Sequence, residues 1–177
     1  MAPSNTLRLY EALELRAEYD ARLKTLKDCL PESRREHRPF RFDREEQSRS
    51  RPSPDFDLAE VRQQLKSLEY KRRKLNTAIQ EANFQHQVAF GGESLRLSEA
   101  LELRKGLNTQ LGELHTQLVE AAYQRVIYKE DRDIVEDNER SYTECAAALE
   151  EARLSFRALN RAVRAAAYVV EVNFADE

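Results

Sequence analysis

The chain has 177 residues, 34% of them charged and 41% hydrophobic, with four glycines, five prolines, no tryptophan and a net charge of −3. Such a length can bury a real core, so scarce a supply of turn residues favours long amphipathic helices over a β-sandwich, and the charge gives no bulk attraction to nucleic acid or anionic lipid. Cys29 and Cys145 are too few for a disulfide framework and are expected to pack as small apolar side chains in a reducing compartment.

Leu9, Ala12, Arg16, Tyr19, Leu23, Leu26 and Leu30 recur at alternating steps of three and four, which predicts a first helix from about Tyr10 to Leu30. Pro31 stops it. Residues 31–55 have little periodicity and hold four prolines, seven arginines and six acids. They predict a long arm between helices. Asp57 is placed to cap a second helix running to Phe84, with the seam Leu58, Val61, Leu65, Leu68, Arg72, Leu75, Ile79 and Ala82. A helix of that length spans roughly 40 Å and needs a packed partner.

Val88 and Phe90 alternate with other residues before Gly91-Gly92, and Leu95 and Leu97 alternate after it, which predicts a β-hairpin. Ser98 is placed to cap a third helix, seamed by Ala100, Arg104, Leu107, Leu111, Leu114, Leu118 and Ala121, running to about Tyr123. Residues 124–138 are expected to be a charged connection that includes Val126-Ile-Tyr128. A fourth helix follows over about 140–168, on the seam Tyr142, Cys145, Leu149, Ala152, Phe156, Leu159, Val163 and Ala166.

One stretch occurs twice. Leu7-Arg-Leu-Tyr-Glu-Ala-Leu-Glu-Leu-Arg16 returns as Leu95-Arg-Leu-Ser-Glu-Ala-Leu-Glu-Leu-Arg104, differing only at Tyr10 and Ser98. The second helices repeat too: Leu75-Asn76, Ala78-Ile79, Ala82, Phe84, Val88 and Phe90 match Leu159-Asn160, Ala162-Val163, Ala166, Tyr168, Val172 and Phe174. The expectation is a duplicated chain, with repeats over 5–92 and 93–177 inside a single all-α domain. Its architecture would be a four-helix bundle of two helical hairpins about a pseudo-two-fold, with small β-hairpin elements at one end. The same duplication requires residues 170–174 to pair antiparallel with residues 6–9, because each exit strand needs an entry strand.

In its order of features the chain resembles the septicolysin-like family of small bacterial helical proteins. The stretches that carry the resemblance are Glu11-Ala-Leu-Glu-Leu-Arg16, Ala78-Ile-Gln-Glu-Ala-Asn-Phe84 and Phe90-Gly-Gly-Glu-Ser-Leu-Arg-Leu-Ser-Glu-Ala-Leu101. The chain departs where the family has an Asn-Trp pair, carrying Ala167-Tyr168 instead. The resemblance implies a helical fold and no established reaction, and the family name implies a membrane-acting alternative.

Little in the chain carries chemistry. Arg16 and Arg104 fall on apolar seams at matching positions, as an anion-binding pair or as arginines paired internally with carboxylates such as Glu11 and Glu99. Glu11, Glu14, Glu99 and Glu102 are more simply first-turn and solvated acids. No Glu-x-x-His precedes His37, His86 or His115, and no Cys-x-x-Cys exists, so neither a di-iron nor a zinc site is expected. The arm residues Arg38, Phe40, Arg41 and Phe42 mix cations with aromatics, as single-stranded nucleic-acid binders do. Seven arginines against six acids leave too little charge for that, and docking on a neighbouring protein is the better reading. No apolar run reaches the roughly 18 residues of a transmembrane helix, and Met-Ala-Pro-Ser-Asn does not begin like a secretory signal. The expectation is a cytoplasmic, non-enzymatic homo-oligomer without cofactor. It would serve as an interaction module, its second apolar stripe of Leu13, Leu15, Leu101 and Leu103 wanting a partner. The alternatives are a membrane-acting protein, or nucleic-acid or small-ligand binding through the arm or the Arg16/Arg104 pair.

Overall fold

The computed structural model describes residues 6–31, 52–129, 132–136 and 138–176. They are mostly helical, with four helices and three small antiparallel strand pairs among them. In chain order the elements are β1 (Thr6–Arg8), α1 (Leu9–Asp28), α2 (Leu58–Gln85), β2 (Gln87–Phe90), β3 (Glu93–Arg96), α3 (Leu97–Ala121), β4 (Arg125–Lys129), β5 (Arg132–Glu136), α4 (Tyr142–Val169) and β6 (Glu171–Asn173). They group into two compact units. The first runs to Glu81 and resumes at Glu171; the second covers Ala82 to Val170.

In the first unit, β1 passes into α1 without a linker. Arg8 is still extended, at φ −71° and ψ 151°. An arginine side chain has no acceptor and cannot cap the exposed helix amides. Glu11 supplies what local chemistry allows: its Oε2 accepts the Arg8 N–H at 2.6 Å, the glutamate half of a capping box. The expected strand pairing is present. Thr6 faces Asn173, Leu7 faces Val172, and Arg8 faces Glu171, with an ion pair of 3.0 Å between the last two. Val172 is fully buried, as are Ala12, Leu75 and Ile79 to within 1%. Asp57 caps α2 as expected, its Oδ1 accepting the Ala59 N–H at 2.8 Å and the Glu60 N–H at 3.2 Å. Cys145 is buried, but Cys29 is exposed just past the end of α1 and packs against no core.

The second unit repeats the strand-to-helix device. In the β2–β3 hairpin Val88 faces Leu95, and the turn needs positive φ at two successive residues, 62° at Gly91 and 85° at Gly92. Those angles favour glycine and match the twist of the strands. Arg96 is extended, and its N–H is held by Glu99 Oε2 at 2.8 Å. Here the structure corrects the sequence reading. Ser98 is not the cap, because β3 continues to Arg96 and the helix begins at Leu97, so the amide in need of a partner lies two residues earlier. Ser141 is a full cap for α4: its Oγ accepts the Glu144 N–H at 3.2 Å, and Glu144 returns the contact to the Ser141 N–H at 2.9 Å. The Ser141 N–H, and then the Ser141 hydroxyl donating to the same Oε2 at 2.8 Å, hold the Glu144 carboxyl below the usual range. Leu114, Leu149 and Ala152 form an apolar cluster with Leu111, Leu118 and Ala148 packed on it, which joins α3 to α4.

A second correction concerns residues 124–138. The expected charged connection is a β-ribbon: Val126 faces Val135, Ile127 faces Ile134, and Lys129 faces Arg132. Asn138 closes its base, donating from Nδ2 to the Tyr123 carbonyl at 3.2 Å.

Removing the residues after Tyr168 deletes β6 and leaves β1 as an open edge. The truncated chain is expected to melt at lower temperature and to scatter light on heating; an unchanged melt would show that β6 adds nothing to the first unit.

Candidate functional site

Among the described residues, the first unit holds a part-buried polar tie. Tyr19 lies on the inner seam of α1 and is 2% exposed. Its hydroxyl donates to Asp176 Oδ1, and the same oxygen takes Lys71 Nζ of α2 at 3.2 Å. One carboxylate beyond β6 therefore fastens the C-terminal segment to both helices. Burial, and then the hydrogen bond to Asp176, push the Tyr19 hydroxyl well above the ordinary tyrosine value. The same hydrogen bond, and then Lys71, hold the Asp176 carboxyl low. A general acid or base for neutral pH needs the opposite tuning, toward 7. The contact makes Tyr19 a fastening between α1 and the C-terminal segment.

Outside this tie, charges bridge α1 and α2. Arg72 Nε meets Asp20 Oδ1 at 2.9 Å, and Lys27 Nζ meets Glu69 Oε1 at 3.0 Å. Open grooves flank the pair. One, of about 800 Å³, is lined by Glu18, Arg22, Leu26, Gln64, Leu68 and Lys71 among others. The other, of about 720 Å³, includes Asp20, Lys24, Lys27, Glu69 and Arg72. Arg72, on the predicted seam of α2, escapes the core toward a carboxylate. Arg72 takes the place that Phe156 holds on α4, and its long stem lets the guanidinium reach Asp20.

The other expected residues that are described fall in different units. Among the described residues neither Arg16 nor Arg104 makes an ion pair. Both are half-buried, in separate units, and neither lines either groove. Glu11 and Glu99 are taken up by the helix starts described above, so they are capping residues and not partners of these arginines. The interaction arm, with Arg38, Phe40, Arg41 and Phe42, lies outside the described residues. Among the described residues no group of His, Cys, Asp and Glu could hold a metal ion, and no helix is long and apolar enough to cross a membrane.

The surface that residue-by-residue reading missed is the β4–β5 ribbon. Val126, Tyr128, Ile134 and Val135 are 46–69% exposed, and Tyr123 beside them is 81% exposed. Only Ile127 of the ribbon is partly covered. The available signal was the pair of β-branched runs, Val126-Ile127 and Ile134-Val135, at hairpin spacing.

No family model matches this chain, and no curated protein matches it. A solved structure described as that of a functionally unknown conserved protein from Corynebacterium diphtheriae is similar to it. The match covers 94% of this chain and 99% of that one, with a TM-score of 0.66 at 20% sequence identity. The likeness is one of fold.

Two outcomes test these ties. Tyr19 holds its proton more tightly folded than unfolded, so its contribution is complete below about pH 10, the ordinary tyrosine value, and is lost as pH rises beyond it. Asp176 runs the other way: its contribution is complete above about pH 4 and is lost as pH falls through its lowered value. Urea unfolding across pH should show both limbs, Tyr19→Phe flattening the alkaline one and Asp176→Asn the acid one. Separately, Arg72→Leu should leave the melting temperature unchanged or raised. The Arg72–Asp20 pair is over two-fifths exposed on both sides, and such pairs contribute at most about 1 kcal/mol.

Proposed function

We propose that this chain is a non-enzymatic, self-associating interaction module. Its body would be a four-helix bundle of two duplicated hairpins about an internal pseudo-two-fold, of the septicolysin-like kind. The repeated burial of matched residues supports the duplication: Leu9 and Ala12 with Leu97 and Ala100, Leu75 with Leu159, and Val88 with Val172 are all 7% exposed or less. The non-enzymatic half rests on Tyr19 and Asp176, whose tuning suits a fastening.

The observation that carries self-association is the β4–β5 ribbon. A two-stranded hairpin is marginal in water on its own. This one shows apolar side chains on both faces, Ile134 on one and Val126, Val135 and Tyr128 on the other. Apolar surface gathered in this way marks an interaction site. The stripe of Leu13, Leu15, Leu101 and Leu103 supports it less, since only Leu103 is exposed.

Light scattering coupled to size exclusion, from micromolar to hundreds of micromolar protein, is the test. A mass that rises to a dimer or beyond is the expected result, and a monomer throughout overturns the reading. Rapid release of dye from lipid vesicles by the purified protein would replace it with the membrane-acting alternative.

A further inference from the structure

We propose that two copies of this chain join edge to edge along β5, antiparallel about Ile134, so that their ribbons become one four-stranded sheet. This rests on the self-association proposed above and names its surface and its partner.

Each strand of the ribbon has one neighbour, and so one unpaired edge, among the described residues. All five residues of β5 are exposed, whereas β4 has Ile127 partly covered, so β5 is the outward edge. Its sequence suits its own image. Arg132-Asp-Ile-Val-Glu136, laid antiparallel on a second copy about Ile134, sets Arg132 opposite Glu136 at both ends. Opposite charges directly across a strand pair stabilise it, and like charges destabilise it. The same operation on β4 sets Arg125 opposite Lys129 twice, so that edge repels its image. Pairing β5 of one copy with β4 of another leaves an edge open on each end and propagates as a filament, whereas β5 on β5 closes as a two-fold dimer.

Register is selected as well. Ile127 and Ile134 are cross-strand partners on one face of the ribbon. With Ile134 opposite itself, two isoleucines from each copy form a continuous row on one face of the joined sheet. A slip of one residue either way joins the isoleucine face of one ribbon to the valine–tyrosine face of the other and loses the Arg132–Glu136 pairs, and in one direction it also sets Asp133 opposite Glu136. Charge and apolar pattern thus select the same register.

The test uses full-length protein in three samples: wild type, Arg132→Glu and Glu136→Arg. Sedimentation of the wild type should show a dimer in the micromolar range. Each variant alone places like charges opposite one another at both ends and should raise the dimer Kd about tenfold or more. Mixed in equal amounts, the two variants should recover the wild-type Kd as a heterodimer, because every arginine of one then faces a glutamate of the other. If the wild type associates but the variants associate as tightly, or the mixture recovers nothing, the β5 pairing is overturned and self-association stands. If the wild type stays monomeric, both fall.

Discussion

Arg8 and Arg96 are the last extended residues before a helix, and the amide of each is held by a glutamate three residues later. Strand and helix share a boundary with no residue to spare. The strand's pairing therefore sets the rotation of the helix that follows. With Leu7 facing Val172 and Leu95 facing Val88, the residues buried one turn into the helices are Leu9 with Ala12, and Leu97 with Ala100. Alanine at those positions keeps the first turn close to its neighbours. A loop between strand and helix would uncouple sheet register from helix register, and the seams below it would lose their reference.

From that common start the helix pairs are held differently. In the second unit, leucine meets leucine and alanine along α3 and α4, and the contact is apolar. In the first, the far portions of α1 and α2 are bridged by Asp20 with Arg72 and by Lys27 with Glu69, with grooves on both flanks. Exposed ion pairs give orientation more than stability. The firmer hold comes from Tyr19, where a buried hydroxyl and a lysine converge on Asp176. The C-terminal segment is thus part of the first unit's structure.

The ribbon stands apart in its economy. Among the described residues the other two strand pairs each bury a valine, Val172 in one and Val88 in the other, whereas β4–β5 only partly covers Ile127. Its β-branched pairs are placed with defined cross-strand partners and remain wet. Local packing does not account for them, which is why the functional proposal rests there and not on the half-buried arginines.

Much of the fold was legible in the residue order because the forces involved act over a few residues. Helix seams follow from steps of three and four, Asp57 caps what lies next to it, and Gly91-Gly92 meets a backbone requirement of the turn itself. The β1–β6 pairing could be inferred across the whole chain only because a repeat supplied its template. Ser98 misled because helix ends depend on where the preceding strand stops. The ribbon was missed because strand preference depends on its surroundings and its turn lacks glycine or asparagine. Tyr19 and Asp176 lie 157 residues apart, and Asp20 and Arg72 lie 52 apart. No local pattern joins such pairs; each forms only when folding brings two distant surfaces together, around a buried hydroxyl at Tyr19 and across an exposed flank at Arg72.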